Sequence, residues 1–548
     1  MRSPDERAAR RNTSTTSMCC ADFPPRRDSF HSLFGQNECV FTGHLHVFKL
    51  ASRMQLKRAY DSTVDWVGIG LGGCLLIGLL LNRPHGLSGL TMVQDDFFYY
   101  EKIASEIVAG HGSTFNGIVA TNGYHPLWMV AVTLLSIFFR SPDSLIPAIY
   151  VVVALSVFAT YFFARRILQT LHGERWLTDL LAAALALLSL RLLRSGMEIV
   201  LTVPLALVLF YRILSPPQNA RQSFGTALFA ALLILSRLDA AIWVAGLYIC
   251  LAITQKIMRH WPAIVLGFLP LPAYFAYNKM KFGEIVPVSG QAKQLRTVHT
   301  LSPTILQVVH LLGLQEVLIV LLGLSGIVVL PLAFRRLPAN FRALAIPTLL
   351  FPFVYFFALS ILSDWPAWPW YLYAWSIAGI VTLAGVIALS KPPADRIVAG
   401  VAAFFCILCA GTFVVQRPPR PAGRVMAGEF LRQFSLEHKG IYAMGDRAGV
   451  ASILMSDPII QTEGLVMDQN FLAHIRREDP LVPTLRSYGV RYYVANFYGS
   501  GIPGGCFIAS EPTKAGPTAK HMRSTICNRP VATFSRSDTQ IAVYDLAQ

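Results

Sequence analysis

The chain has 548 residues, 54% of them hydrophobic and only 14% charged, with a formal net charge of +16. Soluble globular chains carry nearer a quarter charged residues, and the mean hydropathy here is +0.48, which excludes a soluble protein and predicts a polytopic α-helical membrane protein. The surplus of Lys and Arg lies largely in short loops between apolar runs and in the N-terminal tail, where it sets membrane orientation and does not signal nucleic-acid binding.

Residues 1–58 are polar, basic and rich in Ser and Thr, and they lack the short apolar core and cleavage site of a signal peptide. They are expected to form a disordered tail, or to precede a natural start at Met54. A membrane domain is expected over 59–416. Its first span runs from Val64 to Leu81, with Arg53, Lys57 and Arg58 on the inner side.

A long outer loop, 83–144, follows and opens on two adjacent acids, Asp95 and Asp96. Phe97, Tyr100, Ile103, Ala104, Ile107 and Val108 recur at helical spacing, so Asp96 is expected to cap a short amphipathic helix ending at Gly110 and Gly112. Leu127 to Phe139 is apolar but about thirteen residues long, short of the roughly 20 needed to cross, and is expected to lie in the outer interface.

Further spans are predicted near 145–163, 177–193, 198–214, 223–237, 239–254, 262–278, 311–333, 342–362, 370–389 and 396–415, about eleven transmembrane helices in all. This phase puts the basic clusters around Arg165, Arg212, Arg259, Arg335 and Arg396 inside. It also puts the C-terminus outside. There, after the linker RPPRPAG, 417–548 reads as a soluble α/β domain. A helix is expected from Val425 to Glu437, strands at Ile441–Met444 and Arg491–Ala495, and a turn at Gly445-Asp446. Nine cysteines show no metal-ligand spacing. Cys506 and Cys527 alone fall in this domain, where an oxidising compartment would pair them.

Ionisable residues at the edges of spans are costly and therefore informative. Glu198, Arg237 with Asp239, Lys279 to Lys293, and Asp364 with Trp365, Trp368, Trp370 and Tyr371 all fall on the same outer side as Asp95 and Asp96. Each alone has a plain reading: a helix cap for Glu198, a local ion pair for Arg237 and Asp239, an aromatic belt for the tryptophans, a loop hydrogen bond for His125, a lipid-headgroup contact for Lys293. Their shared side points to one site.

The acidic pair after the first span, AGHG and TFNG, TNGYHPLW, SGME, SRLDA and PVSG together resemble bacterial membrane glycosyltransferases of the GT-C class, the superfamily of protein O-mannosyltransferases and aminoarabinose transferases. The resemblance covers about 64–415. It implies an inverting hexosyl- or pentosyltransferase of the cell (inner) membrane, using a polyprenyl-phosphate sugar donor and a glycan, lipid or protein acceptor outside. It also implies Asp95 as the base, Asp96 in support, Glu198 near the acceptor and Arg237 with Lys293 on the leaving phosphate. His125, Asp239, Trp370 and Tyr371 complete the expected substrate-binding set. Some members of the class use a divalent metal and others do not, so the resemblance leaves a metal open and implies no other cofactor. A transporter or lipid flippase is the alternative; against it stand the lack of a repeated span pattern and acids gathered at one face. The topology makes a direct prediction: reporter fusions after Arg175 and Arg259 should read cytoplasm, and a fusion after Gly423 should read the outside.

Overall fold

The computed structural model describes residues 65–548, apart from 82–84, 172–173, 216, 255–256, 299, 392, 416–420, 498–500, 537–538 and 548. The tail expected over 1–58, with Cys19, Cys20 and Cys39, lies outside the described residues, as does most of the 417–423 linker.

The apolar runs form helices at nearly the expected places. The first is α1 (Asp65–Leu81). A short α2 (Gly86–Leu90) leads to α3 (Asp95–Val108), and α4 (Pro126–Phe138) follows the polar loop. Then come α5 (Pro142–Gln169), α6 (Arg175–Leu193), α7 (Ile199–Leu214), α8 (Ala220–Ser236) and α9 (Ala241–Thr254). The span expected at 262–278 is two helices, α10 (Trp261–Phe268) and α11 (Pro270–Phe282), because Pro270 has no N–H to continue the ladder. The membrane part closes with α12 (Val288–Lys293), α13 (Leu314–Ala333), α14 (Ala339–Leu362), α15 (Tyr373–Leu389) and α16 (Ala394–Val415).

Among the described residues, six helices are long and apolar enough to cross a membrane, and five further apolar helices are shorter. The 13-residue α4 is one of the short ones, with Val130, Leu134, Ile137 and Phe138 exposed along it. The six long helices differ in surroundings. Those containing α6 and α15 are 83% buried across their apolar windows, so they form the centre of the bundle. In contrast, α13 and α16 show rows of exposed apolar side chains, Leu321, Val328 and Leu332 on one and Ile397, Phe404 and Ile407 on the other. Such rows suit lipid. Helices α13 and α15 approach closely through Gly323 and Gly379, where an added β-carbon would press on Trp375 and Leu322, as small residues permit in membrane interfaces.

Beyond α16 lies a mixed α/β domain. Helix α17 (Gly423–Glu437) precedes β1 (Ile441–Met444), α18 (Ala448–Leu454), β2 (Ile459–Gln461), α19 (Gln469–Arg477), α20 (Leu481–Ser487) and β3 (Val490–Phe497). Strands β4 (Phe507–Glu511), β5 (Met522–Ile526), β6 (Ala532–Arg536) and β7 (Thr539–Asp545) complete it. The main sheet has the order β2-β1-β3-β7-β6, parallel on the β1 side and antiparallel from β3 to β6, and β4 pairs with β5 separately. Tyr442, Ala443 and Met444 are fully covered, as expected of a parallel strand with both faces packed.

Charged groups pin this domain to the membrane part. Asp364 accepts hydrogen bonds from the Thr304 hydroxyl (2.7 Å), from the Thr518 N–H and hydroxyl (both 2.7 Å), and from Ser302. Arg296 donates to the Ile361 carbonyl (2.6 Å) and the Thr518 hydroxyl (3.0 Å), and Arg424 donates to the Val93 carbonyl just before the acidic pair (2.6 Å). Cys506 and Cys527 form a disulfide. Peptide mapping of membrane-extracted protein without reduction should recover 506 and 527 in one linked fragment; two free thiols in protein exported to an oxidising compartment would contradict it.

Candidate active site

Helix α3 begins at Asp95, with Gln94 as its extended N-cap residue, so neither acid caps it as expected for Asp96. Both acids sit in the first helical turn, where negative charge is favoured. Successive helical residues point about 100° apart, and the two carboxylates accordingly meet different partners.

Asp95 faces the C-terminal domain. Its carboxylate accepts the Gly449 N–H (3.0 Å) and the Val450 N–H (3.1 Å) from the first turn of α18. Gly449 is needed there, since a β-carbon would collide with Asp95 itself. Burial raises the Asp95 pKa, and Arg424 with the two amides opposes that rise.

Asp96 instead lines a small cavity with Tyr100, His125, Glu198, Lys293 and Trp370. Burial pushes Asp96 up to about 7, with Lys293 holding it down and Asp95, Asp446 and Glu198 adding to the rise. The Lys293 ammonium donates to the Tyr371 hydroxyl (3.1 Å). Burial disfavours its charge, but Tyr371 and Asp96 outweigh burial and its pKa is raised. His125 precedes α4; its N–H donates to the Tyr100 hydroxyl (3.3 Å), its Nε2 lies 3.8 Å from Glu198, and its buried Nδ1 has no partner. Burial lowers its pKa, so the ring is neutral at pH 7. The cavity is about 60 Å³, room for a few waters.

Behind the cavity lies a buried ionic cluster. Arg237, 2% exposed, donates to Glu198 (2.5 Å), to Asp239 (2.7 Å) and to the Tyr355 hydroxyl (3.2 Å). Asp239 also accepts the Tyr355 and Tyr373 hydroxyls, at 2.8 and 2.9 Å. The guanidinium sits over the rings of Tyr371 and Tyr373, at 4.8 and 4.9 Å. Its hydrogen bonds serve this cluster, whereas Lys293 is the cation lining the cavity. Trp370 stacks on Trp368, whose face meets Lys514 of the C-terminal domain at 5.9 Å.

Asp96, His125, Glu198, Arg237, Asp239, Lys293, Trp370 and Tyr371 therefore form one connected group, and Asp95 stands apart on the domain side. Sequence reasoning placed Tyr100 only on a helical stripe and missed Tyr355 and Tyr373, whose only signal was a hydroxyl inside an apolar run. It also missed Leu465 and Val466, which wall the cavity from the C-terminal domain. Among the described residues, no group of three or more His, Cys, Asp or Glu side chains is placed to hold a metal ion.

The chain as a whole resembles solved membrane proteins in fold. ArnT from Cupriavidus metallidurans in the apo state superimposes with a TM-score of 0.51 at 12% identity, over 88% of this chain and 98% of that one. The chain shares the fold of this ArnT. The GT-C resemblance carried by the motifs thus holds at the level of fold. The same ArnT bound to undecaprenyl phosphate matches at 0.45 and 15% identity, over 76% of this chain and 78% of that one. The apo Archaeoglobus fulgidus oligosaccharyltransferase matches at 0.49 and 11%, over 78% and 69%. No family model matches the sequence, and neither does any curated protein.

Removing the Arg237 guanidinium leaves the buried Glu198 without its ion-pair partner and the part-buried Asp239 with only its tyrosine hydroxyls. Arg237→Ala should therefore lower stability by about 3–5 kcal/mol, read by thermal unfolding in detergent, beyond any effect on donor binding. Unchanged unfolding would show that the cluster is not what holds Glu198 and Asp239.

Proposed function

We propose that this protein is an inverting glycosyltransferase of the bacterial cell (inner) membrane, which moves a sugar from a polyprenyl-phosphate donor to an extracytoplasmic glycan, lipid or protein acceptor. The carrying observation is a single cavity lined both by a carboxylate, Asp96, and by a lysine, Lys293, with Glu198 and His125 beside them. ArnT, whose fold the chain shares, binds undecaprenyl phosphate, which supports the donor class. The reading takes eleven spans with α4 at the outer interface, so that the C-terminal domain faces outward.

In the proposed reaction the acceptor hydroxyl attacks the anomeric carbon, the bond from that carbon to the phosphate oxygen breaks, and polyprenyl phosphate leaves. Asp96 takes the hydroxyl proton, and Lys293 offsets the charge left on the phosphate. This assigns the base to Asp96, because Asp95 is held by the amides of α18 and does not line the cavity. Asp95 then fixes the first turn of α3 and so aims its neighbour. Arg237 supports from behind, holding Glu198, while Trp370 lines the cavity beside the sugar and Tyr371 positions Lys293 through its hydroxyl. A cavity of about 60 Å³ is too small for a sugar, so donor binding has to displace part of the wall formed by Trp370, Leu465 and Val466.

Release of polyprenyl phosphate from a labelled donor tests the activity; transport without release would favour the flippase alternative. Asp96→Asn should cut turnover about 10²–10⁴-fold, while Asp95→Asn should cost less. A reversed order would return the base to Asp95, and normal turnover in both would move it to Glu198. Because Asp96 is a base only when ionised, kcat/KM should fall about tenfold per unit below pH 7 and level off above it, and a profile flat from pH 5 to 8 would exclude Asp96 as that base.

A further inference from the structure

A second cavity, of about 370 Å³, lies on another side of α3, between the α4–α5 turn and α18 of the C-terminal domain. Its lining includes Glu101, Lys102 and Ser105 of α3, Phe139 and Arg140 of the turn, and Ser452 of α18. The volume falls in the range of small-ligand sites. Nothing in the proposed transfer reaction uses it.

Glu101 is the unusual member. It is 95% buried, with 5% of its surface exposed, and its Oε2 has no hydrogen-bond partner. A buried carboxyl left without a partner is costly, and an ionised one far more so. Burial alone pushes it up to about 8, with no neighbouring charge offsetting the shift. Two cations line the same cavity without neutralising it. Lys102 is paired with Glu106 at 2.8 Å, and Arg140 is exposed and makes no ion pair or side-chain hydrogen bond among the described residues. The arrangement is a recessed acid with basic groups in the same cavity, beside the exposed apolar row Leu134, Ile137 and Phe138 of α4.

The complement to such a site carries a positive group to reach Glu101, a negative group for Arg140 and Lys102, and apolar chains for α4. We propose that this cavity binds phosphatidylethanolamine, its ammonium on Glu101 and its phosphate on Arg140 and Lys102. The ammonium supplies the partner Glu101 lacks, and the phosphate gives Arg140 a charge-assisted hydrogen bond. An anionic lipid without an amine satisfies only the basic residues.

Native mass spectrometry of the delipidated full-length protein tests this, with phosphatidylethanolamine, phosphatidylglycerol and free O-phosphoethanolamine added at equal concentration. The wild type should retain phosphatidylethanolamine at least about tenfold better than phosphatidylglycerol. Glu101→Gln should erase that preference, and Arg140→Gln, at an exposed position that leaves folding intact, should weaken retention of both lipids severalfold. Equal retention of the two lipids by the wild type, a preference surviving in Glu101→Gln, or unchanged retention in Arg140→Gln would each overturn the proposal. Displacement of the lipid by equimolar O-phosphoethanolamine would overturn the bilayer as the source of the headgroup. None of these measurements depends on glycosyl transfer.

Discussion

A guanidinium with almost no access to water is the constraint on which the rest of the site depends. Arg237 is tolerable in the interior only because Glu198, Asp239 and the tyrosine hydroxyls surround it at hydrogen-bonding distance. Those partners come from separated parts of the chain: the start of α7, the turn after α8, the middle of α14 and the start of α15. Satisfying one charge therefore fixes four segments relative to one another. The Glu198 carboxylate, held in this way, also accepts from Tyr100 on α3 and lies near His125, so the outer loop is referenced to the same centre.

The C-terminal domain contributes to the site more than a cover. It supplies the amides that occupy Asp95, the Arg424 guanidinium that binds the backbone before α3, and the two residues that wall the cavity. Gly123, inside the TNGYHPLW segment, passes so close to Leu465 that a β-carbon would overlap its carbonyl. The contact explains a glycine in that motif in terms of packing alone. The docking of α18 on Asp95, by contrast, separates two adjacent acids that are chemically identical.

Much of this was legible in the sequence, for physical reasons that can be named. Long apolar runs bounded by basic loops permit few alternatives to helices, so most of the expected spans coincide with helices to within a few residues, six of them long enough to cross among the described residues. Departures had local causes, as at Pro270. Short runs rich in strand-favouring residues at Ile441–Met444 and Arg491–Ala495, with Gly445-Asp446 as a turn, were enough for two strands of the sheet. Gathering Asp96, Glu198, Arg237 and Lys293 into one neighbourhood followed from the single side to which the basic-loop pattern assigned them. What stayed hidden depended on contacts distant in sequence. Whether Asp95 or Asp96 turns to the cavity is set by where α18 docks, more than 300 residues later by number. Tyr355 and Tyr373 look like ordinary aromatic residues of a span until their hydroxyls are seen on Asp239.

The wall formed by Leu465 and Val466 has a consequence in time as well as in space. Ribosomes add about 5–20 residues per second, so the helix bearing the acidic pair exists for tens of seconds before the residues that close the cavity are made. During that interval Asp95 has no amides to receive and Asp96 no enclosed space to be desolvated in. The nascent chain therefore carries both acids in a hydrated form, and the cavity used in the proposed reaction is complete only with the last quarter of translation.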